Sequence, residues 1–218
     1  MRGRHWGMVA LAGVVYSAMT AGGVVWIIVR DGREAFWLIL AEDLLSSCGL
    51  GVGLATAILW FSAYASEHHE WAKTLESEFG VALGGLSSLQ CVALAVASGI
   101  GEEMLFRAAL QPTATTLAAR ILASRGLQHF AGITLTSLAF GACHFPIRRN
   151  LLPWTAFTIA TAYGFGAIFL WTGNVMGPIL AHALINGVNL SRIARKGAPS
   201  GPVITISERG GSLEFDRK

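Results

Sequence analysis

The sequence predicts an all-α fold, a polytopic transmembrane helical bundle of about six to eight helices, each span needing roughly 20 mainly apolar residues. Three observations carry this expectation. Charged residues make up 13% of the 218-residue chain against 53% hydrophobic, whereas an ordinary soluble domain carries about 25% charged residues. The mean hydropathy is +0.55. Apolar stretches long enough to cross a bilayer recur along the chain. The expected organisation is one transmembrane domain over residues 1–196 and a soluble C-terminal tail over 197–218.

The first apolar segment, 6–29, follows Arg2 and Arg4. It is long for a cleaved signal peptide and other spans follow, so it reads as an anchor helix that stays in place. "RDGRE" (30–34) makes a polar turn, and Phe36 and Trp37 open a second helix at the interface, where aromatic rings sit well. That helix is expected to reach about Ala65, with Glu42 and Asp43 near its start in the headgroup region. "SEHHEWAKTLESE" (66–78) reads as an amphipathic surface helix. An apolar run over 79–100 leads into a charged stretch. Residues 112–128, with Pro112, Arg120 and Arg125, look interfacial. Further spans are expected at 129–145, 153–171 and 174–191. The Gly/Pro-rich tail, 197–218, forms a small hairpin or stays unstructured. Glycine pairs at four-residue spacing (Gly49/Gly53, Gly80/Gly84, Gly173/Gly177) suit close helix packing.

Lysine and arginine placement favours both termini on the cytoplasmic side: Arg148, Arg149, Arg192, Arg195 and Lys196 would join Arg2 and Arg4, against Arg30, Arg33, Arg120 and Arg125. Cys48, Cys91 and Cys143 lie in apolar windows and match neither a metal spacing nor a disulfide framework. The formal charge of +3, with no basic stretch interleaved with aromatics, gives no footing for nucleic acid.

Against this background three polar constellations stand out, because an ionisable group in a membrane helix costs at least about 2.5–3.5 kcal/mol. In "GEEMLFRAAL" (101–110), Glu103 and Arg107 are four apart with the glutamate first, the favourable order for a same-face ion pair. Glu102 points about 100° away, outside that pair. A carboxylate held from water without its own partner is suited to act as a base. Alternatively, Gly101 starts an interfacial helix and both acids cap its first turn. In "FGACHF", Phe140 and His144 share a face; read alone, His144 is equally an interfacial residue at a helix end. In "HALIN", His182 and Asn186 share a face and both can donate hydrogen bonds, as an oxyanion site requires. Read alone, they are equally a polar contact between helices. Together, Glu102, His144, His182 and Asn186 come from three helices, and a bundle with no catalytic or transport purpose has little reason to carry them all.

Glu-Glu-x-x-x-Arg, then Phe-x-x-x-His, then His-x-x-x-Asn, in order at 102–107, 140–144 and 182–186, resembles the CPBP family of intramembrane proteases. That family includes type II CAAX prenyl proteases and bacterial Abi proteins. The resemblance covers roughly residues 80–190, and Phe106-Arg107 with the small Ala108 fits the bacterial form. It implies a glutamate-dependent peptidase without a cofactor or metal. Glu102 would activate a water that His144 also holds, and His182 and Asn186 would stabilise the oxyanion. Glu103, Arg107 and Phe140 would support them structurally. The implied substrate is a membrane protein or lipidated peptide, cleaved at the lipid bilayer. Short length and the Phe-Arg form suggest a prokaryotic cytoplasmic membrane.

Rival readings use the same residues differently. Glu102, His144 and His182 could be three zinc ligands with an open fourth position, although His-Glu-x-x-His is absent. "VASG" (96–99) is a near miss for a serine protease with His182 as base. A scaffold, chaperone or bacteriocin-immunity protein could keep the fold without the chemistry. Any shared site must also lie at one depth. His182 is about eight residues into its expected span, roughly 12 Å at 1.5 Å per residue. Glu102 follows Phe79 by more than about 20 residues, which in a straight helix carries it to the far surface. The sequence therefore predicts a break at Gly99 and Gly101, with 101–111 turning back towards a cavity. Backbone of that kind is tolerated at depth only inside protein or beside water.

Overall fold

The computed structural model describes residues 2–145 and 149–197. Of the expected tail only Gly197 lies within these limits; Arg148 and residues 198–218 lie outside the described residues. Among the described residues there are nine α-helices and no strand: α1 (Arg2–Asp31), α2 (Arg33–Ala41), α3 (Leu44–His68), α4 (Glu70–Leu83), α5 (Ser88–Glu103), α6 (Gln111–Ala118), α7 (Arg125–Cys143), α8 (Leu152–Thr172) and α9 (Met176–Lys196). A π-helical segment, Met104–Leu110, joins α5 to α6. Four helices are long and apolar enough to cross a membrane: His5–Asp31, Leu44–His68, Ser88–Ala118 and Leu152–Thr172. The chain is thus a helical membrane bundle. The expected spans at 129–145 and 174–191 correspond to α7 and α9, which are outside those four. In α9, His182, Asn186, Asn189 and Arg192 all face an internal cavity.

One expected helix is broken in two. Residues 36–65 do not run straight: α2 ends at Ala41, and Asp43 takes a left-handed conformation at φ 45°. The carbonyls freed there are taken up by the turn between α8 and α9. Asn174 Nδ2 donates to the Glu42 carbonyl at 2.7 Å, and the Val175 N–H donates to the Ile39 carbonyl at 2.9 Å. Glu42 and Asp43 thus mark a tertiary joint directly before the span that begins at Leu44.

A second correction concerns Gly99 and Gly101. The helix does not break there; α5 passes through both to Glu103. The break lies earlier, at residues 84–87, where Gly85 has φ 84° and Ser87 forms a capping box with Gln90. A Ser N-cap with Gln at N3 satisfies two otherwise orphaned donors and starts a new helix. With the start moved to Ser88, Glu102 and His182 reach one depth in antiparallel helices, so no re-entrant turn is needed. The two glycines serve contact instead. A Cβ at Gly99 would stand 3.0 Å from the Ile179 carbonyl oxygen of α9, and one at Gly101 2.8 Å from the Tyr16 carbonyl oxygen of α1. Both neighbours are backbone.

Of the small-residue pairs, Gly80 and Gly84 do meet backbone, that of Gly197, whereas Gly49 and Gly53 face open space. The close approach of α3 to α9 uses Gly51 against Gly177. The π segment is held from α1: Arg30 donates to the Ala108 carbonyl at 3.1 Å and to the Ala109 carbonyl at 2.5 Å. π turns leave carbonyls out of the regular helix pattern and are frequent at functional sites.

Candidate active site

The end of α5 brings two carboxylates into the bundle with different surroundings. Glu103 and Arg107 are both fully buried, and Arg107 Nε donates to Glu103 Oε2 at 2.9 Å, as the four-residue spacing predicts. The other oxygen of Glu103 has a partner the spacing did not suggest: His182 Nδ1 lies 2.8 Å from Oε1. With the carboxylate as acceptor, Nδ1 carries the proton and Nε2 is turned outward. Glu103 therefore ties α9 to α5.

Glu102 is 8% exposed, and its Oε2 is buried with no hydrogen-bond partner. That oxygen lies 3.8 Å from His182 Nε2 and 3.9 Å from His144 Nε2. These separations are too long for hydrogen bonds and short enough for one water to touch all three groups. The Tyr16 phenol of α1 flanks the same carboxyl.

His144 caps α7 instead of continuing it. Its Nδ1 lies 2.9 Å from the Phe140 carbonyl oxygen, one of the acceptors a helix C-terminus leaves free. Nδ1 is again the donor, and Nε2 again faces Glu102. The imidazole also stacks on the Phe140 ring, centroids 4.5 Å apart. Phe140 meets Phe106 edge-on at 5.3 Å and carries the Arg107 guanidinium 5.4 Å from its centroid. The ring contact compensates in part for Arg107 Nη1 and Nη2, which are buried without acceptors. Phe165 stacks on the His182 ring at 5.5 Å.

Asn186 lies one turn beyond His182 and donates from Nδ2 to Ser98 Oγ at 2.9 Å, while Ser98 donates to the Ala95 carbonyl at 3.1 Å. The Ser98 hydroxyl is thus spent on orienting an amide. No histidine hydrogen-bonds it among the described residues, so "VASG" gains no support as a nucleophile. A cavity of about 420 Å³ is lined by Tyr16, Ser98, His144, His182 and Asn186 together with apolar and aromatic side chains. Glu102 is not itself among the lining residues; its carboxyl stands beside two that are.

Every residue singled out from the motifs therefore lies in or against one cluster. Sequence reasoning missed the Glu103–His182 bond, the Ser98 support of Asn186 and the flanking Tyr16. All three are contacts between helices far apart in the chain, for which helical spacing carries no signal.

Comparison with known proteins agrees with the motifs. Residues 84–188 match the family model of type II CAAX prenyl endopeptidase Rce1-like proteins. The uncharacterized protein YpbD of Bacillus subtilis (strain 168) is 36% identical over 89 residues, 40% of this chain and 36% of that protein. The match thus spans about a third of that relative's length. No solved structure matches. The family resemblance holds over residues 84–188, which include all three motifs; α1 to α4 lie outside the matched region. With the four apolar helices, this match marks an integral membrane protein.

Proposed function

We propose that the chain is an intramembrane endopeptidase that hydrolyses a peptide bond with a water activated by Glu102. The observation that supports this most directly is the convergence of Glu102 Oε2 with the Nε2 atoms of His144 and His182, at 3.9 and 3.8 Å. The hydrogen bonds around the histidines suggest distinct roles. His144 gives its Nδ1 proton to a carbonyl, so its neutral ring offers an Nε2 lone pair that accepts a hydrogen from the water. Glu102 takes the proton as the oxygen attacks the scissile carbonyl.

His182 already gives its Nδ1 proton to Glu103, so it donates to the oxyanion from Nε2 only as an imidazolium. The fully buried Glu103 carboxylate supplies the countercharge. Asn186 adds an amide N–H, positioned through Ser98. When the intermediate collapses the C–N bond breaks, and Glu102 returns the proton to the leaving amine. The products are a carboxylic acid and an amine, which ionise to carboxylate and ammonium, and the atoms balance with one water consumed. One donor of this kind contributes about 10²–10³ in kcat. Because Glu102 must be ionised and His182 protonated, the rate falls at both pH extremes.

The substrate class is a membrane-anchored or lipidated peptide whose scissile bond enters the cavity. The zinc alternative draws on the same three side chains. Among the described residues no three His, Cys, Asp or Glu side chains are arranged as a metal shell, and chelator sensitivity separates the two readings. The test is terminal proteomics on membranes expressing wild type or Glu102→Gln at matched levels. New protein ends found only with wild type, unaffected by chelator, are the expected result. Identical ends with both folded proteins would point to a scaffold or immunity role. Chelator-sensitive cleavage with stoichiometric bound zinc would replace the glutamate-only mechanism.

A further inference from the structure

His144 stands just past the last turn of α7, where a side chain has its own helix on one side only. Phe140 supplies that side, with its ring 25° from parallel to the imidazole. The other side comes from the first turn of α8, through two consecutive residues. Trp154 meets the imidazole at a steep angle, 76° between planes and 5.7 Å between centroids. Thr155 donates from Oγ1 to the His144 carbonyl at 3.2 Å. Ring and backbone are thus both tied to α8, and the imidazole lies between two aromatic side chains.

Trp154 is held in turn from α4. Phe79 packs across it, 5.7 Å between centroids and 69° between planes, an edge-on geometry that aromatic pairs favour. The cavity is lined by both rings and, further along α4 and α9, by Glu76 and Arg192. Non-helical residues bound α4 on both sides, His69 at φ −122° and ψ 127° and Gly85 at φ 84°. Its placement therefore rests on side-chain contacts and not on continuity with α3 or α5. The main polar contact is a latch at Glu76. Glu76 Oε1 accepts from Ser66 at 2.6 Å and from Arg192 Nη2 at 2.9 Å, and its Oε2 accepts from Lys196 at 2.6 Å. Residues three apart on a helix are surface neighbours, so the latch to α9 also sets where Phe79 stands.

We infer that Phe79 and Trp154 are positioning residues for His144: α4 holds Trp154 through Phe79, and Trp154 holds the imidazole with Nε2 turned towards Glu102. The catalytic role of His144 rests on the peptidase reading, while the orientation of its ring is measured without turnover. Because α4 lies outside the matched region 84–188, an element without a motif becomes part of the site's construction. Both rings also line the cavity, so a role in holding substrate would appear in KM, whereas positioning His144 appears in kcat.

The experiment uses the full chain in phosphatidylcholine bilayers, with isotope-labelled histidine rings read by solid-state NMR and the His144 signals assigned by their loss in His144→Gln. Wild type should show one His144 tautomer, protonated at Nδ1 and bare at Nε2. Trp154→Leu should add the second tautomer and lower kcat about tenfold with KM within about twofold, the size a lost aromatic contact allows. Trp154→Phe should restore both readouts. Phe79→Leu removes only the support of Trp154 and should lower kcat about threefold. In the Trp154→Leu background it should have no further effect, because coupled residues are not additive. A single unchanged tautomer with a wild-type kcat in Trp154→Leu would overturn the inference. So would a change confined to KM, or a Phe79→Leu effect that is the same with and without Trp154. If Trp154→Leu does not fold, Phe79→Leu alone decides, and unaltered His144 signals and rate there overturn the inference. Altered His144 signals in a chain that hydrolyses nothing would support the positioning path and sink the peptidase reading alone.

Discussion

Adjacent glutamates at the end of α5 show how one residue of register separates structure from chemistry. Glu103 has both oxygens engaged, by Arg107 and by His182, whereas Glu102 Oε2 has no partner. Removing the charge of Glu103 leaves Arg107 as an unpaired buried cation, and breaking such a pair costs about 3–5 kcal/mol. Glu103→Gln should therefore lower the unfolding temperature in detergent sharply, and a mild shift would show that Arg107 finds another partner. The Glu103–Arg107 pair was legible because it lies four residues apart on one helix. The assignment of Glu103 to orient His182 was not, since it joins residues 79 positions apart. His144 was legible as a neighbour of Phe140 but not as a helix cap, which depends on where α7 stops.

At the scale of elements, glycine was the hardest residue to read. Gly99 and Gly101 were expected to break a helix, and they instead let α9 and α1 approach α5. Both uses need a missing Cβ, and only the position of a partner helix distinguishes them. Gly101→Ala would place a methyl 2.8 Å from the Tyr16 carbonyl oxygen and 3.1 Å from its Cα. Overpacking of that kind costs about 1–3 kcal/mol, more than the roughly 1 kcal/mol gained in helix propensity. Gly49→Ala, which meets nothing within 4 Å, should be neutral or slightly stabilising by the same thermal assay. A reversal of the two would show that α1 does not pack on α5 this way.

The latch between α4 and α9 gives a pH signature. Burial alone would raise Glu76, but hydrogen bonds from Lys196 and Ser66 and the charge of Arg192 outweigh it, holding the carboxyl below its usual value. A group whose folded value is lowered contributes stability above its unfolded value of about 4.5, lost as pH falls through the lowered folded value. Wild type should therefore exceed Glu76→Gln in melting temperature at neutral pH, and the gap should close on acidification below about pH 4. A gap independent of pH would mean that the latch is not ionic.

For the whole molecule, composition sufficed to read a helical membrane bundle, because few folds tolerate so little charge. Its outer surface is apolar, with Trp171 84%, Leu45 88% and Val29 81% exposed, as lipid-facing side chains should be. The arrangement inside was less legible. Three motifs indicated which polar groups gather, while the cavity that joins them to Glu76 and Arg192 depends on α3 and α4, whose sequences carry no motif. The central claim is that one carboxylate at the junction of α5, α7 and α9 activates water. The most direct measurement is the single-turnover cleavage rate of purified Glu102→Gln against wild type, on a substrate identified by its new ends, with melting temperatures matched. A loss of at least about 10³-fold is expected when a water-activating base is removed. A rate within tenfold of wild type, at equal stability, would contradict the claim.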